Sequence, residues 1–430
     1  MDNPCWILGA SDSGPAALTP AAREILQQAD LVLGESRFLP LFAPLLPAGV
    51  ETRATSGRLK ELPGWIQSAR EAGRRVVLLA TGDPLFSGVA GHLRGKLPAD
   101  ALAILPAPTT PQRAFARLGL PWTHARFVSL HSRDGGEWDF NAPPDHPFVP
   151  LIRLLPEGEL IAVLTSPANT PGRIARMLLR LGAADDFRLT VAERLESPDE
   201  RILQDLIPSE AAAASFADPN VVILQRRPEA AAAPSLPVMG LPDALFLPEG
   251  SGLMTKREVR VIALARLGLR PDSVVWDLGA GSGSVGLEAA RLCPRGWVWA
   301  MEKEAARADR IRENREKLRV FNHTLVQGRA PAGLADWPDP DAVFLGGSGG
   351  ALVELIETAG RRLKAGGRLV VALATVEHLG RSVEVFKAGG WEWDLTQVQV
   401  NHSRPLSDLH RMVPESPVWI VSAQKQHPRS

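Results

Sequence analysis

The chain has 430 residues, 45% of them hydrophobic and 22% charged, and its 48 Lys plus Arg balance 48 Asp plus Glu. This describes a soluble, folded chain of two or three domains rather than a disordered one, and the charge balance disfavours nucleic acid as a partner. Two cysteines, Cys5 and Cys293, found no disulfide framework or thiolate metal site, and no apolar run nears the ~20 residues that cross a bilayer. The opening MDNPCWILGA has no basic segment ahead of a long apolar stretch, so no signal peptide is expected and a reducing cytoplasm fits.

Strands and helices alternate from the start. CWILGA has strand character. TPAAREILQQAD predicts a helix with Thr19 as N-cap and Pro20 at the first helical position. Strand DLVLG follows, then a helical SGRLKELPGWIQSAREAG carrying a proline flaw, then strand RRVVLLATGDP. ALAILPAP, ARFVSLHSRD, ELIAVLTS, RLTVAERL and VVILQ continue the pattern. Such alternation implies α/β layers with largely parallel sheets, and more than 200 residues allow two lobes with a cleft between them. Arg226–Pro242, rich in Ala and Pro and without apolar periodicity, reads as a linker. The domains are therefore expected at 1–228 and 243–430, joined by 229–242.

After the linker, helix KREVRVIALARLGL leads into strand SVVWDLG, helix SVGLEAARLC and strand GWVWAME. Charged helix ARADRIRENREKLRV, strands TLVQG and DAVFLGG, helix ALVELIETAGRRLKAGG, strand RLVVALAT and helix VEHLGRSVEVFKAGG come next. WEWDLTQVQV and SPVWIVSAQ close the chain as two strands with no clear helix between them, which predicts an antiparallel edge on a doubly wound sheet. Arg404 and Arg411 fall in the loop before the last strand.

Strand VVWD runs directly into GAGSGS and a helix. Gly279, Gly281 and Gly283 let the backbone turn sharply and let a ligand approach where no Cβ intervenes. Glu302 ends the next strand, 25 residues after Asp277. The two strand ends are neighbours at the switch point of a doubly wound sheet, and a carboxylate there suits a ribose diol. Gly281–Gly286 also matches the G-x-G-x-x-G dinucleotide fingerprint. A methyl donor is favoured because Asp277 can accept from an amine where a dinucleotide would place phosphate, and because no second phosphate loop follows.

SGLMTKREVR, VVWDLGAGSGSVGLEAA, AMEKEAARADRIREN, QGRAPAGL and DAVFLGGSGG together resemble the decarboxylating precorrin methyltransferases of cobalamin synthesis, over about 250–375. The likeness is to their carbon-15-methylating, decarboxylating domain. It implies a Rossmann-like class I fold binding S-adenosylmethionine through Thr255, Asp277, Gly279, Ala280, Gly281, Ser282, Gly283, Glu302 and Ala330. It also implies a substrate floor at Gly346, Gly347, Ser348, Gly349 and Gly350. Thr255 with Glu258 equally reads as a capping box, Thr-x-x-Glu, ahead of an apolar face. The two roles are compatible.

In the N-terminal half, LLATGDPLFSGVAGHL, WILGASDSGPAALTPAAREILQQADLVLG and ILPAPTTPQRAFARLGL resemble the tetrapyrrole (corrin and porphyrin) methylases, over about 5–225, and VSLHSRDG points to the carbon-5-methylating subgroup. The resemblance implies a second donor site held by backbone at Gly9, Gly82, Asp83, Pro84, Leu85, Thr109 and Thr110. Three departures from that family stand out. The first loop reads GASDSG, poorer in glycine; Thr81, Thr109 and Thr110 stand where Ser is common; Ser132 stands where Gly is. Taken alone, Gly-Asp-Pro is also a proline-stiffened turn, with Asp83 capping it.

Displacement at a sulfonium carbon is a task of alignment, and electron-rich tetrapyrrole carbons need no strong enzymic base. No triad and no metal cluster is visible, so no catalytic residue is assigned and no metal expected. The two resemblances imply methylation of precorrin-6B at carbons 5 and 15 with loss of the ring C acetate carboxylate, giving precorrin-8X. They also imply a homo-oligomer. The cobalt-bearing counterpart, an inactive N-terminal scaffold and a nicotinamide-dependent oxidoreductase remain as rivals.

Overall fold

A computed structural model describes residues 3–231, 236–247 and 254–425. The chain divides into two compact units. The first takes Met1–Glu137, Leu154–Leu179 and Ala183–Ala231; the second takes Trp138–Arg153, Arg180–Gly182 and Ala232–Ser430. The main division falls inside the segment read as linker. Residues 232–235 of that segment, and 251–253 at the head of SGLMTKREVR, lie outside the described residues. No composition break announces that 138–153 and 180–182 group with the second unit.

The first unit holds two five-stranded sheets. One is built from β1 (Cys5–Ala10), β2 (Leu31–Gly34), β3 (Glu51–Ala54), β4 (Val76–Thr81) and β5 (Leu102–Leu105), in the order β3-β2-β4-β1-β5. Every pairing is parallel. Parallel strands must be covered on both faces, and the side chains comply: Leu8, Val32, Val77 and Leu79 pack on one face, Ile7, Leu31, Leu33 and Leu78 on the other. Helix α1 (Pro20–Gln27) starts as the sequence predicts, with Thr19 accepting from the Ala22 amide. Helix α2 is Leu62–Glu71, with Pro63 in its first turn. The proline read as a flaw is thus a start signal, because a first-turn residue needs no amide donor. Helix α3 is Thr110–Leu118.

The second sheet contains β6 (Arg126–Ser129), β7 (Leu160–Leu164), β8 (Phe187–Glu193), β9 (Arg201–Leu206) and β10 (Asn220–Arg226), in the order β6-β7-β10-β8-β9. Only β6 and β7 pair in parallel. The expectation of largely parallel sheets fails here for a reason of length. Residues 194–200 are too few for a crossover of a dozen or more, so β9 must fold straight back on β8.

The second unit is a seven-stranded sheet of β11 (Val274–Leu278), β12 (Trp297–Glu302), β13 (His323–Gln327), β14 (Ala342–Leu345), β15 (Arg368–Leu373), β16 (Glu392–Val398) and β19 (Val418–Gln424). Its order is β13-β12-β11-β14-β15-β19-β16. The first five are parallel, and β19 runs against both neighbours, as expected of the closing strands. Helices α4 (Arg257–Leu267), α5 (Ser284–Leu292), α6 (Ala305–Lys317), α7 (Leu352–Arg362) and α8 (Val376–Ala388) cover the sheet. The loop expected before the last strand is instead a hairpin, β17 (Asn401–Leu406) and β18 (Leu409–Pro414).

A buried ion pair fixes the entrance to this unit. Arg260 on α4 and Glu288 on α5 are both 0% exposed. Glu288 also accepts from the Gly240 and Leu241 amides, and Arg260 donates to the Thr255 and Leu241 carbonyls and to Asp243. The end of the expected linker is therefore built into the core, where Leu241 is fully buried. The same contacts correct the capping box. The first helical hydrogen bond runs from Arg260 N to Lys256 O, and Lys256 stands at the N-cap without a side-chain cap. Thr255 lies one residue outside, so Glu258 is not at the position a box requires.

Candidate active sites

Alternation along β11 sends Val275 and Asp277 to the α4–α5 face and Trp276 and Leu278 to the other. Asp277 is thus a carboxyl placed where an apolar side chain would normally sit, 1% exposed. Its Oδ2 accepts from the Gly286 amide in the first turn of α5 at 2.9 Å, and its Oδ1 has no partner among the described residues. Burial pushes its pKa up to about 7, with the nearby charge of Glu302 adding to the effect.

The turn above it is sewn to β12. The Gly279 and Ala280 amides donate to the Met301 carbonyl, and the Gly281 amide donates to Glu302 Oε2 at 2.9 Å. Glu302 Oε1 accepts from the Glu304 amide at 3.0 Å, which leaves each oxygen a second lone pair. Ser282 is buried, and its carbonyl takes the Asn314 side-chain amide. Gly283, with φ +76°, opens α5. Gly279, with φ +72°, is glycine for a second reason: a Cβ there would lie 2.1 Å from the Gly347 carbonyl oxygen.

That contact brings the two sequence motifs together. The loop after β14 crosses directly over Gly279, and the Gly346 amide donates to the Leu278 carbonyl at 3.2 Å. Gly346, Gly347, Gly349 and Gly350 are exposed, with Ser348 half-buried between them. Arg329 donates to the Gly349 carbonyl, which ties this loop to the segment after β13, where Ala330 packs against the core. Thr255 is half-buried, held through its carbonyl by Arg260. This edge brings together a glycine turn, a carboxylate with spare acceptor capacity, and a buried carboxyl oxygen without a partner among the described residues.

The first unit builds a comparable edge from β1, β4 and β5. The Gly82 amide donates to the Ala10 carbonyl, and the Ala107 amide to the Gly82 carbonyl. A Cβ on Gly9 would lie 2.3 Å from both Ala107 N and Gly82 O. Gly82, with φ +62°, approaches Thr109 so closely that a Cβ would lie 3.2 Å from its Cα. Gly9, Gly82 and Thr109 are therefore brought together. Asp83 accepts from the Leu85 amide at 2.9 Å, the turn-capping role allowed by its position before Pro84. Thr109 caps α3 reciprocally with Gln112, and Thr110 is the first helical residue. A cavity of about 450 Å³ lies here, lined by Asp83, Pro106, Ala107, Pro108, Gln112 and Trp122.

Two clusters escaped the sequence reading. Arg37 donates to Asp12 at 2.7 Å, to Glu35 at 2.9 Å and to Thr81 at 3.0 Å, tying the loops after β1 and β2 to the end of β4. It explains the departure GASDSG: Asp12 needs a side chain to hold Arg37, and the left-handed backbone falls at Gly14 instead. In the second unit, His323 is fully buried beside Gly286, where a Cβ would lie 3.2 Å from its Nε2 and 2.5 Å from Asp277 Oδ2. Neither ring nitrogen has a partner among the described residues. Burial, with the charge of Arg315 adding, holds its pKa down to about 3 and so keeps it neutral. Both clusters join residues distant in sequence, so no local spacing signals them. Among the described residues no group of three or more His, Cys, Asp or Glu could hold a metal, and no helix is long and apolar enough to cross a membrane.

Two domain families match the chain: "Precorrin methyltransferase domain" over residues 229–425 and "Tetrapyrrole (Corrin/Porphyrin) Methylases" over residues 4–209. A precorrin-6Y C(5,15)-methyltransferase [decarboxylating] of Sinorhizobium sp is 32% identical over 419 residues, covering 96% of this chain and 94% of that protein. The protein of the same name from Mycobacterium tuberculosis (strain CDC 1551 / Oshkosh) is 28% identical over 425 residues, covering 97% and 99%. A shorter protein of Salmonella typhi, cobalt-precorrin-6B C(15)-methyltransferase (decarboxylating), is 37% identical over 185 residues, covering 43% of this chain and 95% of its own length.

Proposed function

Because the chain belongs to the precorrin-6Y C(5,15)-methyltransferase (decarboxylating) family, we propose that it methylates precorrin-6B at carbons 5 and 15 and removes the ring C acetate carboxylate, yielding precorrin-8X for cobalamin synthesis. It is an S-adenosylmethionine-dependent methyltransferase. The observation that carries the reading is the 32% identity along 96% of the chain to a relative named for both methylations and the decarboxylation.

We assign carbon 5 to residues 1–228 and carbon 15, with decarboxylation, to residues 243–430, with 229–242 between them. The tetrapyrrole-methylase match on 4–209 supports the first assignment. The shorter relative named for carbon 15 alone supports the second. Each half then has its own donor site, and the bound donor supplies an electrophilic methyl on a sulfonium sulfur. In the C-terminal half, the Gly279–Gly283 turn gives the donor backbone access, Glu302 accepts from the ribose hydroxyls, and Asp277, anchored through Oδ2 by the Gly286 amide, accepts from the donor's amine through its partnerless Oδ1. Thr255 and Ala330 flank that site, and Gly346–Gly350 form the floor on which the macrocycle lies. In the N-terminal half, backbone at Gly9, Gly82–Leu85 and Thr109–Thr110 lines the donor cavity.

The work of these residues is alignment of attacking carbon, methyl and sulfur. In the decarboxylation the acetate carbon–carbon bond breaks, carbon dioxide leaves, and the electron pair passes into the conjugated macrocycle. The chain's part is to hold that carboxylate out of water beside the ring. A cobalt-bearing substrate is the second reading, favoured by the 37% match to the Salmonella protein; turnover of each substrate form in parallel separates the two. The even charge balance supports a small molecule over nucleic acid.

Calorimetry with S-adenosylhomocysteine tests the two-site reading. The full chain is expected to bind two equivalents. One equivalent would leave one half as a scaffold, and binding of a nicotinamide cofactor in its place would overturn the methyltransferase assignment.

A further inference from the structure

Asp277 does not lie alone beneath the glycine turn. Strand β13 opens on His323, and direct pairing across the sheet runs from Val275 to Val298 to His323, so the imidazole shares a face with Asp277. Two small residues keep the way between them clear. Ala300 on β12 stands directly opposite Asp277. Gly286 on α5 lies over both side chains: a Cβ there would lie 2.5 Å from Asp277 Oδ2 and 3.2 Å from His323 Nε2. The carboxyl and the imidazole thus converge on one point of α5. On that face the sheet and α5 contribute an apolar cluster that includes Val275, Val285, Ala289 and Val298.

A buried carboxylate that carries charge needs more than one hydrogen-bond donor, and the Gly286 amide is a single one. His323 is fully buried with neither ring nitrogen partnered among the described residues. A neutral imidazole always has one N–H to give, and leaving it idle in the interior costs about as much as a lost hydrogen bond. The charges around the two are committed elsewhere. Glu302, at the end of β12, accepts from the Gly281 and Glu304 amides, and its charge works against ionisation of Asp277. Arg315 on α6 donates to the His323 carbonyl and to Asn141, and its charge works against an imidazolium. Glu288 on α5 and Arg260 on α4 are paired with each other, and Arg291 on α5 feels Glu288. His323 is left as an uncommitted donor beside Asp277.

We propose that His323 is a positioning residue for the methyl donor: protonated at Nε2, it donates to Asp277 Oδ2 when that carboxyl is ionised, joins the Gly286 amide in holding it, and leaves Oδ1 aimed at the donor's amine. This rests on the donor role of Asp277 proposed above. His323 itself touches neither donor nor macrocycle. The one proton that moves is the carboxyl proton of Asp277, which passes to water as the ammonium group arrives; the imidazole stays neutral.

The test compares the full-length protein with His323→Leu and with His323→Gln, which keeps an amide donor. Carbon-13 NMR of protein labelled at the aspartate carboxyls follows ionisation, and calorimetry across neutral pH reads S-adenosylhomocysteine affinity. Asp277→Asn identifies both the signal and the site. His323→Leu is expected to raise the Asp277 midpoint by about one pH unit, which weakens affinity about fivefold at about pH 7 and lets it recover toward wild type by about pH 9. His323→Gln is expected to return most of both shifts. A midpoint unmoved in His323→Leu would overturn the pairing whether or not S-adenosylhomocysteine binds. A loss of affinity equal at every pH, or not recovered by glutamine, would also overturn it and make His323 a packing residue. Nitrogen-15 NMR of the wild type needs no variant: neutral His323 is expected to carry its proton on Nε2, and the other tautomer would overturn the assignment. A midpoint that moves as expected, in a protein that binds no S-adenosylhomocysteine, would support the hydrogen bond while removing the donor role it serves.

Discussion

A single methyl group decides the fate of each glycine turn. Gly279→Ala places a Cβ 2.1 Å from the Gly347 carbonyl oxygen and adds a left-handed backbone penalty of about 1–2 kcal/mol. Calorimetry on this variant is expected to lose one of the two S-adenosylhomocysteine equivalents, and Gly9→Ala the other. Asp277 makes a second claim at this scale. Its folded-state pKa of about 7 lies above the ordinary value of 3.8, so between those values the folded chain holds a proton that the unfolded chain releases. Stability of the second unit is therefore expected to fall as pH rises from about 4 to about 7 and to level off above. Asp277→Asn should flatten that slope in urea titrations followed by tryptophan fluorescence; an unchanged slope would assign the pH dependence elsewhere. The glycines and Glu302 were legible because a turn and a strand end are local patterns. His323 and Arg37 were not, since what distinguishes them is a partner, or a missing partner, far along the chain.

Elements are held by contacts that sequence spacing does not display. Arg260 and Glu288 join two helices to the segment entering the second unit, and both are fully buried. Arg260→Met leaves Glu288 charged and uncompensated, at an expected cost of about 3–5 kcal/mol in denaturant unfolding. Adding Glu288→Leu should restore only part of this, because the Gly240 and Leu241 amides then lose their acceptor. Loss of less than about 1 kcal/mol in the single variant would show that the pair does not anchor the segment. The helix start at Thr19 was readable from cap chemistry. The start near Thr255 was not, since the buried Arg260 side chain takes the carbonyl there and moves the helix onset to Arg257. The hairpin was missed for a reason of turn chemistry. Ser407–Asp408 makes its two-residue turn, with Ser407 at φ +55°, and lacks the Asn-Gly or Asp-Gly signal such turns usually carry.

At the scale of the molecule, strand–helix alternation announced the parallel sheets of both units, because each crossover helix leaves its own periodic signature. The antiparallel β8–β9–β10 region was hidden by the same alternation, and only the short 194–200 connection betrays it. The grouping of 138–153 with the second unit has no local signature at all. What one chain with two such units does is measured most directly by product mass. The full-length protein is incubated with reduced precorrin-6 and methyl-labelled S-adenosylmethionine. The account predicts a product that has gained two labelled methyl groups and lost one carbon dioxide. A product with one methyl and its ring C acetate intact, or no methyl transfer at all, would contradict it.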